Sequence, residues 1–284
     1  MIQFTKRNLL LYFRDKVAVF FSLLAVLITF ILYIVVFRNL YGTYFFGVDD
    51  LRAVTDIWAI SGMLAAPTVT TPLGALCMLI DDRKRKLYQD FYAAPVSRMK
   101  ITAGYLLSSF LVGIIMSFAL LIITQIYIIA NGGELFSLLQ YLQVMGVIIL
   151  STFSGAGLVL MLVSFFPTSN AYTGFSLVLG TLMGFVCGNY MPMGLLPKAA
   201  QWFVKICPVA HSSALIRQIL IKDTMQEFLG GVEGLDLSFV SQYLGIELIF
   251  GSYVAAPWVH VAYLAVTGIL FYSLAIPILS RKRK

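Results

Sequence analysis

The chain has 284 residues, of which 60% are hydrophobic and only 12% are charged. A soluble domain carries about 25% charged residues, so this composition excludes an ordinary soluble protein and indicates a helical membrane protein. The net charge of +7 does not indicate a nucleic-acid partner, because the Lys and Arg residues lie beside hydrophobic segments, where they act as topology signals.

Residues 1–16 form a basic segment that is predicted to be a helix lying on the inner membrane surface. Ile2, Leu9 and Phe13 share one face at helical spacing, whereas cations including Arg7 gather on another. Such a helix can rest in the lipid headgroup layer with its cations near anionic lipid. A basic topology signal without any docking is the alternative.

Six hydrophobic segments are long enough to cross a membrane, since a spanning helix needs about 20 apolar residues. They cover residues 17–37, 57–80, 101–130, 138–165, 171–190 and 258–279. The first is too long for the core of a secretory signal peptide, and no small-residue cleavage pattern follows it, so we expect a retained span. The predicted fold class is an all-α polytopic membrane protein in which residues 1–284 form a single transmembrane domain.

The distribution of charge predicts that both ends of the chain lie in the cytosol, because inner segments are enriched in Lys and Arg. This orientation places 14 of the 20 cationic residues on the inner side: Lys6, Arg7, Arg14, Lys16, Arg83, Lys84, Arg85, Lys86, Arg98, Lys100, Arg281, Lys282, Arg283 and Lys284. An odd number of spans would place one basic end outside. We expect a multi-pass protein of the cell membrane, most simply the cytoplasmic membrane of a bacterium.

Two prolines interrupt the second predicted span. Pro67 and Pro72 each remove a backbone donor and favour a kink, and the nearby Thr68 and Thr71 can bond the freed carbonyls. The functional hypothesis is a hinge that lines the translocation path. The alternative is a structural kink whose threonines only satisfy their own helix.

The densest run of charge is residues 81–100, with the sequence DDRKRKLYQDFYAAPVSRMK. Residues 83–92 contain no Gly or Pro and can form a helix, which Pro95 would end. Tyr88 and Phe91 would share one face of this helix, opposite its charges. Such a helix suits a groove on a cytosolic partner, whereas a solvated charge run that sets orientation is the alternative.

Residues 191–257 lie between the fifth and sixth predicted spans and are expected on the outer side. Their first half is apolar but is interrupted by Pro192, Pro197 and Pro208. We therefore expect short re-entrant helices that dip into the outer leaflet, where irregular backbone is tolerated only inside protein or beside water. The second half is polar and rich in Gly, which predicts an exposed loop with one or two helical turns.

The cysteines and histidines do not indicate a metal site. Cys77, Cys187 and Cys207 lack metal-ligand spacing. A Cys187–Cys207 disulfide near the outer surface and two unpaired thiols are both compatible with the sequence. His211 and His260 have no ligand partner at metal spacing.

Two motifs occur in a distinctive order. The first reads Asp82-Arg83-Lys84-Arg85-Lys86, then Phe91, then Pro95-Val96-Ser97-Arg98; the second reads Leu196-Pro197, a hydrophobic stretch, Pro208-Val209-Ala210-His211 and Arg217. With the six-span layout and the basic N-terminal helix, they resemble the membrane subunits of type-2 ATP-binding-cassette (ABC) exporters. Lys86 stands where that family usually has Gly, so we expect this loop to keep its helix longer.

The resemblance implies roles for these residues. Residues 81–100 would form a cytosolic coupling helix that fits a cleft of an ATPase subunit, through Asp82, Arg83, Lys84, Arg85, Lys86, Tyr88, Phe91, Pro95 and Arg98. The N-terminal helix would touch the same subunit, and the short loop 166–170 would be a second contact. The outer gate would be formed by Pro197, Pro208, His211 and Arg217.

The resemblance also implies partners. The sequence contains no Gly-Lys-Ser/Thr phosphate loop and no HExxH motif, so we expect neither catalysis nor a cofactor in this chain. Two copies of an ABC ATPase subunit would hold ATP and Mg, beside a second membrane subunit that is identical or paralogous. We expect lipid as a further partner and no nucleic acid.

The predicted function is export of an amphipathic or hydrophobic cargo, such as a drug, an antimicrobial peptide or a lipid-like molecule. A permease for a polysaccharide or glycolipid is the near alternative. An ion-coupled secondary transporter or a non-catalytic scaffold is the alternative from another class. No charged residue falls inside the six spans as drawn, which weighs against ion coupling.

Overall fold

The computed structural model of the protein describes residues 1–37, 52–85, 87, 97–166, 168–229 and 237–280. Helices dominate this described part, which confirms the predicted helical membrane class. A short hairpin departs from the all-α prediction. Strand β1 (Ile249–Phe250) pairs antiparallel with β2 (Tyr253–Val254), and Gly251 supplies the positive φ of 66° that the tight turn requires.

The helices up to residue 186 follow the predicted spans closely. They are α1 (Ile2–Arg14), α2 (Lys16–Leu32), a π-helical turn (Tyr33–Phe37), α3 (Arg52–Ala65), α4 (Pro67–Lys84), α5 (Arg98–Ala130), α6 (Leu138–Val163) and α7 (Ser169–Val186). Capping hydrogen bonds explain where two of these helices begin. Ser137 and Gln140 form a capping box at α6, and the Thr168 hydroxyl accepts a hydrogen bond from the first turn of α7.

Short helices occupy the region between the fifth and sixth predicted spans. They are a 3₁₀ turn (Met193–Leu195), α8 (Lys198–Ile206), α9 (Pro208–Leu220), α10 (Lys222–Leu229) and α11 (Leu237–Tyr243), followed by the long α12 (Pro257–Ser280). Pro208 and Pro257 open their helices, where a missing N–H is harmless. The prediction of short helices between prolines is therefore confirmed.

Helix α1 confirms the predicted N-terminal helix, and one side of it is buried against the bundle, which was not predicted. The buried residues are Thr5, Asn8 and Tyr12, whereas Ile2 and Phe13 remain exposed. The reason is that α1 packs against α5 and satisfies polar side chains there. Of its apolar residues, Phe4 and Leu9 pack against the bundle, whereas Ile2, Leu10 and Phe13 stay exposed.

Four helices in the described residues are long and apolar enough to cross a membrane: Ala53–Asp82, Met99–Ala130, Leu138–Val163 and Pro257–Ile278. A shorter apolar helix covers Ser22–Val36 within the first predicted span. The fifth predicted span is helical over Ser169–Val186 but is not among these four. The chain is thus a multi-pass helical membrane protein, and the count of six spans stays a prediction.

The pair α3–α4 forms the centre of the bundle. In its most apolar stretch 72% of the residues are buried, against 22% for α12. Helix α4 packs against α5, α6 and α7, and α3 packs against α9. Large side chains such as Trp58, Ile60 and Met63 are fully enclosed there. Because α3 and α4 contact α5, α6, α7 and α9, a movement of this central pair would also shift those helices.

The second predicted span breaks once, at Ala66 between α3 and α4. Pro67 begins α4, whereas Pro72 lies inside α4 without ending it. Pro72 cannot donate to the Thr68 carbonyl four residues earlier. Gly155 of α6 lies directly against that carbonyl, because a Cβ at Gly155 would collide with it. A small residue at this position therefore lets α4 and α6 approach closely.

We expect Gly155→Val to lower stability by about 1–3 kcal/mol, because overpacking a close helix contact costs that much. Gly146→Val is the matched control on the same helix, since a Cβ at Gly146 meets open space. Thermal unfolding of both variants in mild detergent measures the difference. Equal midpoints for the two variants would show that α4 and α6 are not packed as described.

Candidate coupling site

Asp82 joins three helices at the end of the bundle where α4 finishes, here called the basic end. Arg7 of α1 donates to both carboxylate oxygens, with Nη1 at 2.9 Å from Oδ2 and Nη2 at 3.3 Å from Oδ1. The Tyr105 hydroxyl of α5 donates to Oδ2 at 2.5 Å. Asp82 is only 5% exposed, so its charge is compensated by these two partners inside the protein.

Further contacts hold α1 against α5 around this ion pair. Asn8 Nδ2 donates to Ser108 Oγ at 3.4 Å, and the Phe4 ring meets the Tyr105 ring edge-on at 4.9 Å between centroids. Burial alone would lower the pKa of the Arg7 guanidinium, but the adjacent Asp82 carboxylate outweighs burial and raises that pKa. Arg7 therefore remains charged, and α1 is attached to the bundle rather than lying free on lipid.

Asp81 makes a second attachment at the basic end. The Ser169 hydroxyl at the start of α7 donates to Asp81 Oδ1 at 2.8 Å. One turn further, the Tyr172 hydroxyl donates to the Leu73 carbonyl of α4 at 2.6 Å. Ser169 also lies in the loop 166–170 that was predicted to contact the ATPase. The adjacent residues Asp81 and Asp82 thus connect α4 to α7 on one side and to α1 and α5 on the other.

The predicted role of Asp82 needs correction. Its side chain points into the bundle, so it cannot reach into a cleft on another protein. The next cations differ, because Lys84 and Arg85 are exposed. Arg83 belongs to α4 and Arg98 begins α5. The remaining residues of the predicted coupling helix lie outside the described residues: Lys86, Tyr88, Phe91 and Pro95. That helix stays a prediction.

Contacts of Asp81, Tyr105 and Ser169 were not predicted from the sequence, and Arg7 was predicted to lie near lipid. One feature of the sequence could have indicated that these acids have buried partners. Two acids at the inner end of a span run against the usual excess of cations there. Such acids need buried partners, but the sequence does not show which helices supply them.

The threonines of the predicted hinge are hydrogen-bonded inside the protein. Thr68 Oγ1 donates to the Ala65 carbonyl at 2.6 Å and lies 2.8 Å from Ser151 Oγ, and Thr71 Oγ1 donates to the Pro67 carbonyl at 2.7 Å. Both threonines are fully buried, so the prediction that they line an open path is not met in this conformation. The hinge hypothesis for Pro67 and Pro72 stays a prediction, and the helix is interrupted beside Pro67.

Arg217 organises the opposite end of the bundle. Its guanidinium donates to the carbonyls of Trp58 at 3.4 Å, Gly245 at 3.4 Å, Cys187 at 2.6 Å and Gly188 at 3.4 Å. The side chain is 3% exposed and lies over the Trp58 ring at 5.1 Å. A cation beside the last carbonyls of α7 also complements the dipole of that helix. Arg217 therefore joins α9 to α3, α7 and the segment after α11.

The other predicted gate residues lie nearby. Pro197 immediately precedes α8 and Pro208 is the first residue of α9. His211 Nε2 bonds the Lys205 carbonyl at 2.9 Å, and His211 Nδ1 lies 2.8 Å from His260 Nδ1. This pairing of the two histidines was not visible from their spacing.

A buried carboxylate and two cysteines also lie at this end of the bundle. Asp56 lies within the helix Ala53–Asp82 and is 7% exposed, with the Tyr33 hydroxyl donating to Oδ1 at 2.8 Å and the Tyr127 hydroxyl to Oδ2 at 3.5 Å. Asp56 lies one residue before the second predicted span, so the longer helix brings a buried carboxylate to the edge of that span without placing a charge inside it. Cys187 and Cys207 are free thiols, which favours two unpaired thiols over a Cys187–Cys207 disulfide.

Long apolar helices that are joined by hydrogen bonds at the basic end define a multi-pass helical membrane protein. Residues 1–221 match the family described as ABC-2 type transporter. The chain belongs to this family and is the membrane subunit of an ABC transporter, which confirms the resemblance seen in the motifs.

A curated relative adds a second comparison. Over 171 residues the chain is 28% identical to the linearmycin resistance permease protein LnrN of Bacillus subtilis (strain 168). The aligned part covers 60% of this chain and 43% of LnrN. The chain thus matches less than half of the length of that relative.

Proposed function

We propose that the chain is the permease subunit of an ATP-driven exporter that moves an amphipathic or hydrophobic cargo out of the cytoplasm. The observation that carries this proposal is the double attachment at Asp81 and Asp82. Whatever moves the segment after Lys84 also moves α4, and through these two carboxylates it moves α1, α5 and α7. Two ATPase subunits, holding ATP and Mg, would supply that motion.

The break at Ala66 allows the two halves of the central helix to move differently. Helix α4 is attached at the basic end, whereas α3 is held at the opposite end by Arg217. A push on the exposed cations Lys84 and Arg85 would tilt α4 while α3 stays with α9. Pro67 would be the hinge, and the region around Pro197, Pro208 and His211 would respond as the outer gate.

The assembly follows from the same proposal. Six spans with both ends in the cytosol place the basic end on the side of the ATPase. A second membrane subunit, identical or paralogous, would complete the path in a bacterial cytoplasmic membrane. The alternatives of an ion-coupled transporter and a scaffold are set aside, because the chain belongs to an ABC family.

The class of cargo is also a proposal. LnrN is named for resistance to linearmycin, which supports a toxic antimicrobial compound as the cargo here. The apolar character of the bundle supports a cargo taken partly from the bilayer. An extrusion assay with a panel of antimicrobial compounds in cells with and without the gene would identify it.

Charge reversal tests whether the exposed cations Lys84 and Arg85 bind the ATPase subunit. We expect the double variant Lys84→Glu and Arg85→Glu to lower the amount of co-purified ABC ATPase at least about tenfold, which corresponds to about 1.4 kcal/mol of binding. Both side chains are exposed, so folding should be unaffected. Affinity purification from native membranes with quantitative mass spectrometry measures the ratio.

Lys222→Glu is the control, since Lys222 is an exposed cation on α10. This control variant should leave the ratio of co-purified ABC ATPase to permease unchanged. If wild-type protein brings down no ABC ATPase, or if the double variant retains the full amount, the docking proposal is wrong.

A further inference from the structure

Gly62 of α3 lies directly against the turn that follows α7. A Cβ at this position would collide with three polar atoms, which are Asn189 Oδ1, the Cys187 carbonyl oxygen at 2.6 Å and Arg217 Nη2 at 2.9 Å. Only glycine, which has no Cβ, permits so close an approach. Helix α3 and the end of α7 therefore meet here through polar atoms rather than through interlocking apolar side chains. Gly62, Arg217 and residues 187–189 are called the Gly62 contact below.

Arg217 holds the Gly62 contact together. Its Nη2 donates to the carbonyls of Cys187 at 2.6 Å and Gly188 at 3.4 Å, and its Nε donates to the Trp58 carbonyl at 3.4 Å. Trp58 lies one turn before Gly62 on α3. Gly188 has a φ of 69°, the left-handed conformation in which a glycine commonly ends a helix. One guanidinium thus bonds both sides of the contact, which favours its closed state.

Asn189 has the opposite effect on the same contact. The side chain is 2% exposed and its Oδ1 lies against Gly62, yet no described residue donates a hydrogen bond to this oxygen. A buried acceptor without a donor destabilises the state that buries it. Water would satisfy the oxygen as soon as α3 and the turn separated. The Gly62 contact therefore contains one group that stabilises its closed state and one that destabilises it.

Helix α7 is attached to a different part of the bundle from α3. At the basic end the hydroxyls of Ser169 and Tyr172 both bond α4, whereas α3 packs against α9. The central helix is interrupted between α3 and α4, beside Pro67. If α4 tilts there, α7 moves with α4 while Gly62 stays with α3, so the displacement falls on the Gly62 contact. Gly188 also lines a cavity, which leaves the turn room to shift.

We propose that the Gly62 contact is the part of the outer gate that opens and closes. Arg217 stabilises its closed state, and the unpaired oxygen of Asn189 keeps that state only slightly more stable than the open one. Two states of nearly equal free energy are what a moderate force can interconvert. That ATP supplies this force rests on the proposed function, whereas the opening of the contact does not.

The buried thiol of Cys187 reports on the contact, because Cys187 is 0% exposed and reacts only when the turn separates from its neighbours. The full chain in lipid nanodiscs is treated with N-ethylmaleimide, and the labelling of each cysteine is followed by peptide mass spectrometry. Gly62→Ala should speed the labelling of Cys187 at least about tenfold, because its methyl group does not fit the closed contact. Asn189→Ala should slow this labelling at least about threefold, because it removes the unpaired oxygen.

Two control variants and one internal reference make the result specific. Gly74→Ala on α4 places its Cβ in open space, and Gln143→Ala removes an exposed amide on α6. Both controls should label like the wild type. Cys77 of α4 is the internal reference, since a general loosening of the fold would speed its labelling as well.

The labelling of Cys187 can contradict the proposal in two ways. A rate that is unchanged in Gly62→Ala, or a rate that is not slowed in Asn189→Ala, overturns it. If Gly62→Ala does not fold, Asn189→Ala alone decides the proposal.

ATP added to the assembled transporter tests the proposed function separately, because ATP should speed the labelling of Cys187 in the wild type. A response to both variants without a response to ATP would contradict the proposed function and support the Gly62 contact. A response to ATP without a response to either variant would support the proposed function and overturn the Gly62 contact.

Discussion

Asp82→Asn is expected to release α1 from the bundle and to uncouple the ATPase from the membrane helices. The substitution keeps the shape of the side chain but removes the charge that Arg7 and Tyr105 share. Removing one partner of a buried ion pair costs about 3–5 kcal/mol. Because the Arg7 side chain is 31% exposed and can regain water, we expect a smaller loss of about 1–3 kcal/mol.

Hydrogen–deuterium exchange measures this release directly. The amides of α1 should exchange faster in Asp82→Asn, because α1 loses its strongest attachment to α4. In the assembled transporter, ATP-induced changes in the exchange of α5 should shrink at least about tenfold if about 1.4 kcal/mol of coupling is lost. The ATPase should still bind, since Lys84 and Arg85 are unchanged.

Two comparisons make the result specific. Asp223→Asn removes an exposed carboxylate at the first turn of α10 and should change neither measurement. In a double-mutant cycle, Arg7→Gln added to Asp82→Asn should cause little further loss, because both changes remove the same interaction. Additive losses, or unchanged exchange of α1 in Asp82→Asn, would refute the role of the ion pair.

Arg217→Met is expected to have the largest effect on stability. It leaves up to four buried carbonyls without their donor, from Trp58, Cys187, Gly188 and Gly245. An unsatisfied buried polar group costs about 1–3 kcal/mol, so a total of at least about 3–5 kcal/mol is expected. For a chain of this size that loss lowers the unfolding midpoint by roughly 10 °C, or prevents accumulation in the membrane.

Arg217→Lys separates geometry from charge. A lysine ammonium is a point charge and cannot bond carbonyls on four sides, whereas the planar guanidinium can. We therefore expect Arg217→Lys to recover little of the lost stability. Lys222→Met, which removes an exposed cation two residues after the end of α9, is the control and should melt like the wild type. Full recovery in Arg217→Lys would show that charge alone is needed.

The sequence alone determined the class of the protein and most of its helices. Hydrophobic length is a local property, so a run such as 101–130 predicts a spanning helix without any knowledge of its neighbours. Proline positions are equally local, which is why interruptions at Pro67 and Pro208 were predicted. The family motifs indicated the ABC class, since their order along the chain is itself a sequence property.

Only the tertiary structure decided which polar groups meet. Arg7 and Asp82 are 75 residues apart, His211 and His260 are 49 apart, and Arg217 lies 159 residues from the Trp58 carbonyl. Such pairs depend on how helices rotate and pack, and in a membrane that packing is driven by close fit and hydrogen bonds rather than by hydrophobic pattern. The same reason explains why the packing of α1 against α5 and the inward position of Asp82 were not predicted. Hydropathy indicates that a helix is in the membrane, but it does not indicate which side of that helix faces its neighbours.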